Sequence, residues 1–235
     1  MKVRVIFERE KINKNFFSGW GNSYLVGEEV LFDTGEKSEY ILNNLKMLNV
    51  NILDVKTIVI SHNHWDHKGG LWQLLEINPK IKVVGCMDFL NNCQNRNASF
   101  CLQQAIPSQK IAEGIYTTGC IKTVYKGNNL EEQALVVRGV EGVFVLCGCA
   151  HSGILQFINE AKKIFPQEKV YAIIGGFHLI NENIRVVRHL VEEVKKQGIK
   201  KIGPAHCTGF EAEQIFKEAY GNDFLNVKAG AVFEL

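Results

Sequence analysis

The chain has 235 residues, carries 27 Lys+Arg against 25 Asp+Glu for a formal charge of +2, and is 46% hydrophobic. That length suits one well-cored domain, expected to span residues 1–235, since single α/β domains often run to roughly 250 residues. The near-neutral balance argues against a protein that holds nucleic acid by charge, which would show a basic excess or stripe. No run approaches the ~20 apolar residues of a membrane helix, and Met1–Glu10 alternates apolar and charged residues instead of forming a signal-peptide core, so a cytoplasmic protein with no membrane partner is expected. The seven cysteines are odd in number and scattered, unlike a disulfide framework; most are expected to be reduced and many buried.

In chain order, Val3–Phe7, Ser23–Val26 and Val30–Phe32 read as short strands, the last two joined by a Gly27-Glu28-Glu29 turn. Lys37–Leu48 reads as a helix with Ile41, Leu45 and Leu48 on one face. Thr57-Ile58-Val59-Ile60 is a continuous β-branched run, as expected of a strand covered on both faces, and it leads directly into Ser61-His62-Asn63-His64-Trp65-Asp66-His67. A helix over Gly70–Ile77 and a strand over Lys82–Gly85 follow, and Leu90–Ile111 reads as an irregular polar excursion over the surface. Long loops of that kind often cover a site.

Three later segments share one grammar, an apolar strand ending in glycine and histidine. Val143–Leu146 leads to Gly148-Cys149-Ala150-His151, Val170–Ile174 to Gly175-Gly176-Phe177-His178, and Lys201–Gly203 to Pro204-Ala205-His206. Helices are expected after each, over Ser152–Phe165, Asn183–Gln197 and Phe210–Tyr220, with Ser152 and Asn183 as N-caps. If these strands are neighbours, their histidines collect at the carboxyl edge of one sheet, where α/β folds place ligands.

His62, His64, Asp66 and His67 lie within six residues. Alternation on an extended stretch lets His62, His64 and Asp66 share a side while the turn brings His67 round. Imidazole and carboxylate are ligands of Zn, Fe and Mn, and so many crowded imidazoles would repel on protonation unless a cation rewarded the arrangement. His151 and His206 join the candidate ligands through the shared strand-end setting, with His178 as a further one. His189 lies in a helical pattern and reads as an ordinary helix residue.

The loop His62-Asn63-His64-Trp65-Asp66-His67-Lys68-Gly69-Gly70 resembles the H-x-H-x-D-H-x-G-G motif of the metallo-β-lactamase superfamily, and Leu31-Phe32-Asp33-Thr34-Gly35 resembles an earlier strand-end motif of the same superfamily. A narrower resemblance, to the branch of dihydropterin ribofuranosyl-aminobenzene phosphate synthases, rests on Gly148–Gly153, Ile174–Leu179 and Gly203–Gly209. The resemblance extends over essentially the whole chain. It implies an α/β fold, a four-layer αβ/βα sandwich of two mixed β-sheets flanked by helices. It also implies two divalent ions, Zn foremost with Fe or Mn as alternatives.

Carried over by position, His62, His64 and His151 would hold the first ion and Asp66, His67 and His206 the second. His178 would be an extra ligand or a catalytic acid, Asp66 would serve catalysis as well as metal binding, and Asp33 would orient a histidine. One departure is plain: between Asp88 and Asp223 there is no aspartate, so the carboxylate that bridges the metals in many binuclear members is missing. Its place falls to His151, His178, a Cys149 thiolate or solvent, with Glu131, Glu132 and Glu182 as further alternatives.

The expected function is metal-dependent hydrolysis of a small phosphate ester or diester, by water that the ions activate. Lys68 and Arg96 are candidates to meet a substrate anion, and Trp20, Trp65 and Phe177 to stack on a ring. The alternatives are a transferase joining a dihydropterin to an aminobenzene ribosyl phosphate, and a non-enzymatic metal-binding module. A small molecule is the expected partner in the first two cases, with no nucleic acid in any; the oligomeric state is left open.

Overall fold

The computed structural model describes residues 1–93 and 100–235. The first half of the chain contributes β1 (Lys2–Phe7), β2 (Ser23–Val26), β3 (Val30–Phe32), α1 (Ser38–Met47), β4 (Thr57–Val59), α2 (Trp65–Lys68), α3 (Leu71–Ile77), β5 (Lys82–Gly85), α4 (Met87–Cys93) and β6 (Cys101–Gln104). The second contributes β7 (Lys110–Ala112), β8 (Ile115–Thr117), β9 (Ile121–Tyr125), β10 (Asn128–Glu132), β11 (Ala134–Arg138) and β12 (Val143–Cys147). After these come α5 (Ile154–Ile164), β13 (Val170–Gly176), α6 (Ile184–Lys196), β14 (Lys201–Ala205), α7 (Phe210–Tyr220) and β15 (Val232–Glu234).

One sheet runs in the order β15-β1-β2-β3-β4-β5-β6 and the other β14-β13-β12-β11-β8-β7. Strands β3 to β6 are parallel, as are β12 to β14, which sets their carboxyl ends side by side. Strand alternation divides the apolar residues between layers. Along β12, Phe144 and Leu146 join Tyr24, Phe32 and Val59 between the sheets. Val143, Val145 and Cys147 point the other way, to Phe157 and Ile158 of α5 and Val187 of α6. On the far side of the first sheet, Leu25, Leu31 and Ile58 pack under Ile41 and Leu45 of α1 and Leu71 and Leu74 of α3. The result is the four-layer sandwich of two mixed sheets between helices.

The expected strands and helices lie within a residue or two of the observed ones, and Asn183 caps α6 by accepting from the Arg185 N–H. Three differences matter. Of the stretch Leu90–Ile111, expected to be irregular, residues 94–99 lie outside the described residues; in the rest, α4 reaches Cys93 and β6 adds a strand to β5 in register from Lys82↔Cys101 to Gly85↔Gln104. Polar side chains hid that strand because it is the edge of the sheet, with Cys101, Leu102 and Gln104 exposed. Gly153, not Ser152, caps α5, and the Ser152 N–H is instead held by Glu132. Cys86 and Cys120 form a disulfide, tying the end of β5 to the base of the β9–β10 hairpin, while Cys101, Cys147, Cys149 and Cys207 are free thiols. Among the described residues no helix is long and apolar enough to cross a membrane.

Candidate metal centre

The ends of β3, β4, β12, β13 and β14 converge. At these ends Asp33, Ala150, His178 and His206 have φ of 60°, 49°, 52° and 49°. A left-handed backbone is uncommon for residues other than glycine, and its clustering here marks loops bent to aim particular side chains.

Asp33 fixes the histidine loop. Its Oδ1 accepts the Ser61 N–H at 2.7 Å, and its Oδ2 accepts from the Ser61 hydroxyl at 2.7 Å and stands 2.7 Å from His67 Nδ1. All of this is buried, and it leaves His67 Nε2 turned towards Asp66 Oδ2 at 3.6 Å and Cys149 Sγ at 3.3 Å. An imidazole oriented in this way by a carboxylate is the usual support of a metal ligand.

The donors fall into two sets. The His62 ring lies 4.5 Å from that of His64 and 5.1 Å from that of His151, and His64 and His151 are also 5.1 Å apart. Asp66 Oδ2 lies 3.3 Å from His206 Nε2, with the His67 and His206 rings 5.2 Å apart. The His62 and His67 rings, 4.2 Å apart, join the two sets. His206 is aimed by two backbone contacts: the Gly21 N–H donates to its Nδ1 at 3.2 Å, and its own N–H donates to buried Glu8 at 2.8 Å. His178 sits beside the first set, its ring 4.2 Å from that of His151.

Both ring nitrogens of His151 and Nδ1 of His178 are buried with no hydrogen-bond partner. Unpaired buried imidazole nitrogens are costly unless a cation takes their lone pairs, so this donor set fits metal ions. Electrostatics agree. Burial, then the neighbouring His178, His64 and His67, pull His151 down to about 3. Burial and the other imidazoles likewise lower His62 and His64. These rings are neutral and ready to ligate. Burial opposes a proton on His67, yet Asp33 prevails and holds it at about 9. Burial would raise Asp66, but His206 and His67 beside it keep its carboxyl at about 2.

The three glutamates named as alternatives for the missing aspartate each hold backbone N–H groups. Glu132 accepts the backbone N–H groups of His151 and Ser152, Glu131 accepts that of Asp88, and exposed Glu182 accepts that of Asn183. The sequence did not single out the positioning role of Glu132, although its place in β10, whose end pairs with the metal loop through His62↔Glu132, makes that role clear.

A groove of about 460 Å³, lined by Asn63, His64, Asp88, Tyr125, Lys126 and Asn129, adjoins the centre at His64. Tyr125, which the sequence reading missed, is the aromatic residue of this groove, its ring 4.4 Å from His151, 5.1 Å from His178 and 5.5 Å from His64. The available signal was Lys126-Gly127, both at positive φ, a two-residue hairpin turn after an apolar-polar alternation.

The expected substrate contacts are placed unevenly. Trp65 is exposed at the start of α2, and Lys68 bonds to Asn63 on the groove wall. Trp20 lies over His206 at 4.8 Å. Phe177 is buried against Phe216 in the helix-side core and does not face the groove, because it alternates with His178 at the strand end. Arg96 lies outside the described residues. His189 is exposed on α6, away from the other six histidines.

The model of the metallo-β-lactamase superfamily matches residues 20–85. Over 94% of this chain and 92% of its own length, the 7,8-dihydropterin-6-methyl-4-(β-D-ribofuranosyl)-aminobenzene-5'-phosphate synthase of Methanocaldococcus jannaschii is 32% identical. The crystal structure of Tm1679, a metal-dependent hydrolase of the β-lactamase superfamily, is 26% identical and superposes with a TM-score of 0.83, covering 100% of this chain and 99% of the other. The metallo-β-lactamase fold protein YhfI from Bacillus subtilis, 16% identical, shares the fold with a TM-score of 0.66 over 99% of both chains. With the histidine loop, its Asp33 support and the strand-end histidines all in place, the chain belongs to the metallo-β-lactamase superfamily, in the branch that includes the dihydropterin ribofuranosyl-aminobenzene phosphate synthase.

Proposed function

We propose that the protein is a metal-dependent hydrolase of small phosphate esters or diesters, working with two divalent ions. The observation that carries this reading is the pair of donor sets, His62/His64/His151 and Asp66/His67/His206, brought together beside an open groove. Divalent ions held there would acidify a water and polarise phosphoryl oxygens.

The protein's own groups do the rest. Asp33 and Ser61 hold the histidine loop so that its rings need not reorganise during turnover. Asp66, ionised at neutral pH, lends negative charge where the second set meets substrate water. His178, its ring 4.2 Å from that of His151 and 5.1 Å from that of Tyr125, serves as an extra ligand or as the acid that hands a proton to the departing oxygen. Tyr125 offers a ring face, and Lys126, Lys68 and Asn63 place cationic and amide donors at the rim. That combination suits a ring-bearing compound with an anionic group.

The test is hydrolysis of p-nitrophenyl phosphate and its bis-ester by protein reconstituted with Zn, Fe or Mn. His64→Ala is expected to lose on the order of 10³-fold in turnover, about 4 kcal/mol of transition-state stabilisation. Full activity in that variant would overturn the mechanism.

A second reading is favoured by the 32% identity to the synthase: transfer of a dihydropterin-methylene unit from a carrier bearing a leaving group onto an aminobenzene ribosyl phosphate, the leaving group departing with the electron pair and the acceptor losing a proton. Here Tyr125 would stack on the pterin or the aminobenzene ring. Incubation with both compounds separates the readings, since coupled product without hydrolysis would replace the first by the second.

A further inference from the structure

We infer that Cys149 supplies the ligand between the two metal positions, as a thiolate standing where the bridging aspartate is missing. This rests on the reading of the site as a two-metal centre and names the group that joins its halves.

The geometry is specific. The Cys149 sulfur groups with ligand atoms of His62 and His151 on one side and with those of His67 and His206 on the other, each group lying within 4.8 Å. Among the described residues Cys149 is the donor common to both. Its sulfur is 3.3 Å from His67 Nε2, the nitrogen that Asp33 leaves facing the centre. The competing carboxylates are committed elsewhere: Glu132 to two backbone N–H groups, Glu131 to a third, and Asp33 to Ser61 and His67.

Cys207 and His178 complete a third group with Cys149, and the Cys207 sulfur lies 3.2 Å from that of Cys149. Cys207 therefore stands beside Cys149 as its hydrogen-bonding partner. Space for the two sulfurs depends on Gly176, where a Cβ would come within 2.7 Å of Cys207 Sγ and 3.3 Å of Cys149 Cα. A thiolate is a soft ligand, so the bridge selects Zn or Fe over Mn or Mg.

The experiment is metal content and absorption of the cobalt(II)-loaded protein, in the wild type and in Cys149→Ser, Cys149→Ala and Cys207→Ala. The wild type should take up two ions and show a near-ultraviolet thiolate-to-cobalt charge-transfer band. Both Cys149 variants should lose the band and weaken uptake of one ion at least tenfold, whereas Cys207→Ala should keep it. X-ray absorption of the zinc-loaded wild type, which needs no variant, should show sulfur at about 2.3 Å.

Two cobalt ions without the band, or a band that survives Cys149→Ala, would overturn the assignment while leaving the two-metal reading intact. Failure of the folded wild type to bind cobalt or zinc at all would overturn both.

Discussion

The donors on the first sheet come from one loop, Ser61–His67, whereas those on the second come from three strand ends that meet only because β12, β13 and β14 run parallel in register. The first set depends on a local clamp: the Asp33 carboxylate holds both the Ser61 N–H and hydroxyl and the His67 ring. The second depends on how closely neighbouring backbones approach, with the Gly176 N–H donating to the Gly148 carbonyl at 3.0 Å and the Leu179 N–H to that of Cys207 at 3.1 Å. One half should therefore fail when a side chain is removed, and the other when one is added.

Removing the clamp gives the largest effect. Asp33 and His67 are fully buried, and deleting one partner of such a pair costs about 3–5 kcal/mol, so Asp33→Ala should fall that far in denaturant unfolding. Asp33→Asn keeps a residue type that tolerates the left-handed backbone and one acceptor, and should fold. Its apparent metal affinity should still drop about 10–100-fold by titration, because His67 loses its orienting charge. Unchanged affinity would mean that the loop is held by something other than Asp33.

Adding a side chain should damage the joint between the halves. At Gly148 a Cβ would come within 2.2 Å of the Ser61 hydroxyl and 3.1 Å of Asp33 Oδ2. Gly148→Ala must push the β12 end away from the clamp, an overpacking penalty of about 1–3 kcal/mol in stability. Cobalt spectra of the folded fraction should show the first donor set altered, since His151 lies three residues beyond. Wild-type spectra and stability would show that the two sheet edges are less tightly coupled than the distances require.

The same contrast explains what was legible in the sequence. The histidine loop is contiguous, so four donors and their motif could be read directly from Ser61–Gly70. The strand-end histidines were legible because each follows an apolar run and a glycine or a Pro-Ala pair, a pattern that survives separation along the chain. Tyr125 and Cys149 were harder. Tyr125 reaches the centre only because a hairpin between the sheets folds its tip over the groove, and Cys149 was one of several alternatives until β13 and β14 set Cys207 and His206 around it. Phe177 misled because a residue beside a ligand alternates away from it. The edge strand β6 was lost because it is largely exposed, with only Gln103 half-buried, so no apolar alternation marks it.

The clamp also has a pH signature. In metal-free protein His67 is held at about 9 against its usual 6.5, by Asp33 acting against burial. A histidine raised on folding contributes stability that is full below about 6.5 and is lost as pH rises through about 9. His151, lowered to about 3, has the opposite sign: the unfolded chain takes its proton first, and stability falls as pH drops below 6.5. Metal uptake between pH 7 and 8 should therefore displace the proton that the buried Cys149 thiol gives up on becoming the bridge, none from His62, His64 or His151, and roughly one more from His67. Calorimetric titration in buffers of different ionisation enthalpy counts these protons. The count should decline by one as pH passes about 9, and the decline should vanish in Asp33→Asn.

The smallest effect expected is at Tyr125, which belongs to neither half. Its ring touches His64 of the loop and His151 and His178 of the strand ends, so it covers the seam without bonding to either. Removing an aromatic contact of this kind is worth about 0.5–1.5 kcal/mol, so Tyr125→Ala should raise KM roughly 2–10-fold while leaving metal content unchanged. Tyr125→Phe keeps the ring face and should match the wild type in KM. A fall in kcat in both variants, with KM unchanged, would instead make the hydroxyl part of the proton path beside His178 and move Tyr125 from the groove wall into the chemistry.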